Sequence, residues 1–172
     1  MKTKSALITL SCCLFITTGC IPDKEKEVVK PVAAENETDL PGFVKEADFE
    51  GIDWDKTVTK IGSNGTSDIL GNPNKVGYIG PALQADHPEK WLWHFFGETE
   101  GKLAVVAYHH ETSEKASVLT TGYTTTFSGG ALYGADATMP SNVSLPKAGK
   151  WALLVYIDEV LFDALVLEVG EK

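Results

Sequence analysis

The chain has 172 residues, of which 43% are hydrophobic and 23% are charged, and its formal net charge is −9. This composition is too apolar for a wholly disordered chain, and the length suits one domain with or without a tail. All 15 basic residues are lysines, and 24 acids outnumber them. A nucleic-acid-binding protein needs clustered positive charge, so that class is excluded.

The first predicted element is an export signal. Lys2 and Lys4 precede an uncharged, mostly apolar run over residues 5–16. As a helix rising 1.5 Å per residue, that run would span about 18 Å, well short of a hydrocarbon core of about 30 Å. Residues 1–19 are therefore predicted to be a signal peptide and not a membrane-spanning helix.

Residues 17–20 read Thr-Thr-Gly-Cys and resemble the lipobox of bacterial lipoproteins. In that motif the Cys thiol accepts a diacylglycerol and becomes the first residue of the mature protein, although Thr17 stands where Leu is usual. The three cysteines are Cys12, Cys13 and Cys20, so cleavage leaves only Cys20 and no intrachain disulfide. We expect acylated Cys20 to anchor the protein on the extracytoplasmic face of the cell membrane.

Residues 20–42 are rich in Glu, Lys and Pro and show no sustained apolar period. Such a segment cannot bury enough apolar surface to offset its ordering entropy, so it is predicted to be a disordered tether. Cleavage would remove two lysines and leave 13 against 24 acids, a net charge of −11. Anionic lipid would repel this charge, so the acyl chains must hold the protein at the membrane.

Residues 43–172 are predicted to form an all-β domain, because short apolar runs recur between Gly, Pro, Asn and Asp. About seven strands in this length indicate an antiparallel β-sandwich. In the run 91–96 the odd positions Trp91, Trp93 and Phe95 share one face. The other face is left for a loop or partner to cover. The predicted strands, in chain order, are 56–61, 75–80, 91–96, 102–110, 115–121, 123–127, 150–157 and 161–169.

Residues 91–97, 134–141 and 145–151 resemble an uncharacterised domain family found in lipoproteins of Gram-positive, spore-forming bacteria. The resemblance covers residues 80–172, and its last motif is also common in immunoglobulin-like modules. It implies an immunoglobulin-like sandwich and a cell-surface location. It implies no activity, so no site residue follows from it.

Histidines provide one candidate site, for copper or zinc. His94 could meet His109 or His110 across adjacent strands, with Met139 or His87 as a further ligand. His109 and His110 are neighbours on one strand and point to opposite faces, so one compact site cannot use both without a bulge. The pattern favours ordinary buried or solvated histidines, with metal handling as the alternative function.

Aromatic residues provide a second candidate site. Trp91, Trp93, Tyr123 and Tyr133 could present flat ring faces to a glycan or to a partner protein's apolar side chains. Tryptophans on a sandwich strand usually belong to the core. Tyr123 and Tyr133, which lie among Gly and Thr, are the better candidates.

No catalytic motif is complete, and no cofactor is expected. His110 and Glu111 begin a zinc-peptidase pattern, but Glu114 stands where the second His is required. Neither a nucleophile elbow nor a phosphate-binding loop occurs. The sequence therefore predicts a non-enzymatic interaction module of the cell envelope. An enzyme or protease-inhibitor accessory protein that uses a loop at 129–146 is the other alternative.

Overall fold

The computed structural model describes residues 40–172. The predicted signal peptide, Cys20 and most of the predicted tether lie outside the described residues. Residues 40–172 form one short helix and ten strands. Their bounds are α1 Glu46–Glu50, β1 Thr59–Ser63, β2 Asp68–Gly71, β3 Val76–Ile79, β4 Glu89–Phe95, β5 Glu100–His109, β6 Lys115–Ser117, β7 Thr124–Ser128, β8 Ala137–Val143, β9 Gly149–Ile157 and β10 Val160–Val169.

The strands form two antiparallel sheets. The first sheet has the order β1-β2-β3-β4-β8, and the second has the order β10-β9-β5-β6, with β7 also pairing with β5. The predicted all-β sandwich is thus confirmed, with ten strands where about seven were predicted. The immunoglobulin-like assignment stays a prediction. The first sheet is a meander of four consecutive strands closed by β8.

Two strands were missed, β2 and β8, and β8 corrects one expectation. The sequence predicts a long loop at 129–146, but Ala137–Val143 form a strand that pairs with β4. Pro140 and the polar residues around it hide the alternation of buried Ala137, Met139 and Val143. Proline is tolerated there because β8 is an edge strand of the first sheet.

The main core lies between the two sheets and is rich in aromatic residues. Trp91 stacks on Tyr78 with ring centroids 3.7 Å apart, and Phe95 stacks on Phe127 at 4.4 Å. The odd positions of β4 therefore face the core, as their alternation predicts.

The outer face of the second sheet is covered by residues 40–54, which we call the N-terminal strap. Leu40, Phe43 and Phe49 of the strap pack on a second buried cluster that includes Val106 and Leu154. The second sheet is therefore covered by the segment of this chain that precedes β1.

Strand register places the connections at two ends of the sandwich. Phe95 of β4 pairs with both Val76 and Ala137, while Glu100 of β5 pairs with Ser128. The turns that adjoin these residues therefore lie at the same end of the sandwich, which we call the upper end. The β9–β10 turn lies beside them. The upper end comprises residues 72–75, 96–99, 129–136 and 158–159. The lower end comprises residues 64–67, 80–88, 110–114 and 144–148.

The strap runs from the upper end to the lower end. The Phe43 ring lies 5.4 Å from the ring of Tyr156, one residue before the end of β9. The Trp54 ring lies 4.5 Å from that of His110, at the lower end of β5. The described chain therefore begins near the upper end.

Candidate functional site

The exposed large hydrophobic side chains of the described residues all lie at the upper end or directly beside it. They are Leu132 (42% exposed), Tyr133 (47%), Val160 (68%) and Leu161 (38%). Leu132 and Tyr133 belong to the β7–β8 loop, and Val160 and Leu161 follow the β9–β10 turn. We call these two groups the first and second apolar tips.

Tight turns hold both tips. Leu132 and Ala135 exchange two backbone hydrogen bonds of 3.1 Å around Tyr133 and Gly134, which have φ of 52° and 87°. Two consecutive residues with positive φ are typical of the type I′ turn, whose twist suits paired strands. Asp158 and Glu159, with φ of 49° and 70°, form the corresponding turn before the second tip. The apolar side chains thus project from well-defined backbone.

Acidic side chains close the neighbouring turns. The Asp136 carboxylate accepts a hydrogen bond of 2.6 Å from the Gly97 amide. The Asp158 carboxylate accepts one of 2.8 Å from the Lys102 amide, and the Lys102 ammonium lies 3.7 Å from Glu159. These acids therefore hold the turns together, and the exposed apolar tips lie directly beside them.

The structure separates the four aromatic candidates. Trp91 and Trp93 are buried between the sheets, and their indole N–H groups donate to Pro81 O (3.0 Å) and Ser141 Oγ (2.7 Å). Tyr123 is buried in the second cluster, where the strap covers the sheet. Their ring faces are therefore not on the surface, and Tyr133 alone of the four is exposed.

His94 lies on the outer face of β4, close to the first apolar tip. It is fully buried, and its ring centroid is 6.3 Å from that of Tyr133. The Nδ1 atom donates to Leu92 O at 3.0 Å, because a carbonyl oxygen can only accept. The Nε2 atom is buried without a hydrogen-bond partner among the described residues, and burial lowers the pKa of the imidazole below 6.5. His94 is therefore neutral at pH 7.

His109 is buried in the second sheet with both ring nitrogens engaged. Its Nε2 donates to Ala148 O at 3.1 Å, which leaves Nδ1 to accept from Thr112 Oγ1 at 2.9 Å. Neither nitrogen has a lone pair left for a metal ion. His110, the next residue, is half-exposed.

The predicted metal ligands are not brought together. His94 lies on the outer face of the first sheet, Met139 packs in the core between the sheets, and His109 belongs to the second sheet. His87 is exposed and contacts Glu89 at 3.1 Å. Within residues 40–172, no group of three or more His, Cys, Asp or Glu side chains is placed to hold a metal ion.

Sequence reasoning missed Leu132, Val160 and Leu161. The signal that could have identified them is an apolar residue directly beside a two-residue turn, at a place where one strand extends beyond the adjacent strands. Val160 lies between the predicted strands 150–157 and 161–169, and Leu161 was assigned only to the second of these strands.

Comparison with known proteins places the chain in a family. The profile of a domain of unknown function, DUF4871, matches residues 43–167. The chain belongs to the DUF4871 family. The expected kinship with an uncharacterised domain family is thereby confirmed, whereas its restriction to spore-formers stays a prediction. No curated protein matches this DUF4871 chain.

A crystal structure of a "putative lipoprotein" from Bacillus anthracis is similar to this DUF4871 protein. The two chains are 19% identical and superpose with a TM-score of 0.63 over 78% of this chain and 99% of the other. The likeness supports the sandwich fold. Over residues 40–172, no helix has the length and apolarity that crossing a bilayer requires.

Proposed function

We propose that this DUF4871 protein is a lipoprotein, held on the extracytoplasmic face of the cell membrane by acyl chains on Cys20. Its sandwich acts there as an interaction module of the cell envelope. The observation that carries the proposal is Cys20 itself, which follows Thr-Thr-Gly directly after a short apolar leader. The Bacillus anthracis neighbour, described as a putative lipoprotein with the same fold, supports it.

The anchoring chemistry suits an acidic protein. Two acyl chains give stable membrane attachment where a single chain is marginal, and they need no help from positive charge. Nineteen residues separate Cys20 from Leu40, the first described residue. Fully extended, that segment reaches at most about 70 Å, which keeps the sandwich close to the bilayer.

An interaction role, with no reaction to catalyse, is favoured by how the polar side chains are used. His109 has both nitrogens engaged, and His94 is buried beneath the first apolar tip. These two histidines are thus withdrawn from the surface of the described domain, while its exposed turns are available for contacts.

Replacing the anchor residue tests the membrane assignment. In cells that express the full chain, the wild-type protein should sediment with membranes and enter the detergent phase. Cys20→Ser should appear in the medium or retain its leader, because no thioether can form. Cys13→Ser, a change within the predicted leader, should behave as wild type. A Cys20→Ser protein that is cleaved normally and stays on the membrane would refute the anchor.

The interaction role is tested by a photo-crosslinking residue at exposed Thr66 or Ser113 of the lower end. On living cells we expect one discrete adduct with an envelope protein or glycan, lost when excess purified domain competes. Absence of a competed adduct at both positions would count against a partner at this end.

A further inference from the structure

The large exposed hydrophobic side chains of the described residues are confined to one end of the sandwich. The first tip, with Leu132 and Tyr133, leads into the first sheet, and the second tip, with Val160 and Leu161, belongs to the second sheet. In the second sheet, β9 and β5 lie between β10, which bears the second tip, and β7, which leads into the first tip. The two tips are therefore distinct contact points. Separated, projecting apolar tips suit a flat and laterally continuous apolar layer better than a single groove.

The chain also arrives at this end. Phe43 lies against Tyr156, beside the β9–β10 turn, and Leu40 packs on the same outer face. The strap then descends to Trp54 at the lower end. The described part of the chain therefore begins near the end that bears the apolar tips.

We infer that the upper end docks on the lipid surface, with Leu132, Tyr133, Val160 and Leu161 entering the headgroup region of the bilayer. The inference rests on the proposed anchor at Cys20, which holds the upper end near the membrane. The lower end then faces away from the bilayer, towards the rest of the envelope.

The side chains at the tips match the chemistry of this region. Tyrosine is enriched at membrane interfaces, where its ring lies among apolar groups and its hydroxyl meets water. Shallow insertion of about 5–10 Å is typical of interfacial apolar surfaces. Asp136, Asp158 and Glu159 make the end acidic, so uncharged headgroups suit it better than anionic ones.

Site-specific fluorescence on the lipidated protein tests the inference. An environment-sensitive thiol probe is attached to Val160→Cys at the second tip or to Thr66→Cys at the lower end, and the protein is placed in phosphatidylcholine vesicles. We expect a blue shift and quenching by a bilayer-embedded quencher at position 160, and neither at position 66. An unshifted probe at 160, or equal shifts at both positions, would overturn the docking.

The labelling stoichiometry separates this inference from the proposed anchor. Acylated Cys20 cannot react, so the mature lipidated chain takes up one probe. Two probes per mature chain would mean that Cys20 is a free thiol, and the proposed anchor would fail. One probe without a blue shift would leave the anchor intact and refute only the docking.

A second variant guards against an effect of the label. With the probe at position 160, Leu132→Ser together with Tyr133→Ser removes the first tip, whose two exposed residues lie outside the core between the sheets although Tyr133 lies near His94. The fraction of molecules docked on the bilayer, measured by the blue-shifted probe, should fall at least about tenfold. The reason is that docking no longer transfers two apolar side chains out of water. Thr66→Ser should change nothing. An unchanged docked fraction in the double variant would exclude a two-tip contact.

Discussion

Three polar residues are buried in the described domain, and they differ in how their hydrogen-bonding groups are satisfied. Asn72 donates to Asp163 and to Ala164 O, and His109 uses both ring nitrogens. His94 uses only Nδ1, and its buried Nε2 has no partner among the described residues. An unsatisfied acceptor of this kind costs free energy, and protonating it in place costs more.

This difference predicts how stability depends on pH. Burial lowers the pKa of His94 in the folded protein below its ordinary 6.5, so the unfolded chain binds more protons as the pH falls below 6.5. The free energy of unfolding should therefore keep its full value above pH about 6.5. Below that pH it should fall until the pH reaches the lower pKa of His94 in the folded protein. His94→Leu should make this decline shallower in urea titrations at several pH values.

Exposed Thr66, which carries no titratable group, provides the control, and Thr66→Ser should keep the wild-type pH dependence. Parallel pH curves for wild type and His94→Leu would show that His94 does not contribute to acid sensitivity.

At the scale of elements, the strap decides which sheet faces are buried. The ring of Phe49 in α1 stacks on that of Tyr108, with the ring centroids 4.7 Å apart. The Lys115 ammonium lies 4.7 Å from the centroid of the Phe49 ring. Asp48 accepts a hydrogen bond of 3.0 Å from the Tyr156 hydroxyl. The helix has only five residues, so this tertiary packing holds it in place.

Removing the central strap side chain should therefore destabilise the whole domain. Phe49→Ala should lower the free energy of unfolding by about 3–5 kcal/mol, the usual cost of deleting a buried phenylalanine. Glu50→Ala, an exposed change in the same helix, should alter it by less than about 0.5 kcal/mol. Equilibrium urea unfolding measures both. Equal stability of the two variants would mean that the strap is dispensable for the fold.

Long strands with clear apolar patterns were predictable from the sequence. The runs 91–96, 102–110, 150–157 and 161–169 correspond to β4, β5, β9 and β10. The strand β8 was missed because Pro140 interrupts a run that is only half apolar. The strap was missed as a cover because its apolar residues pack on a sheet far away in sequence, which no local pattern encodes.

The candidate site was less predictable than the fold for a related reason. Local chemistry marked Trp91 and Tyr123 as ring faces for a ligand, and tertiary packing buries both. Tyr133 was identified because it lies beside Gly134 in a turn, a local signal. The shared position of the two tips depends on strand register across both sheets, which emerges only from the folded domain.

At the scale of the whole molecule, the ends of the sandwich have different surfaces. The upper end carries the exposed apolar tips and lies next to Phe43, near the start of the described residues. The lower end carries polar turns around Thr66 and Ser113. In the arrangement that we propose, a lipid anchor, a lipid-facing end and an outward-facing end together give the sandwich a fixed orientation on the cell surface.

The anchor at Cys20 is the claim on which this arrangement depends, and intact mass spectrometry of the mature chain from membranes tests it most directly. The account predicts a chain that begins at residue 20 and carries a diacylglycerol in thioether linkage on Cys20. A mature chain with a free thiol at Cys20, or with residues 1–19 still attached, would contradict it.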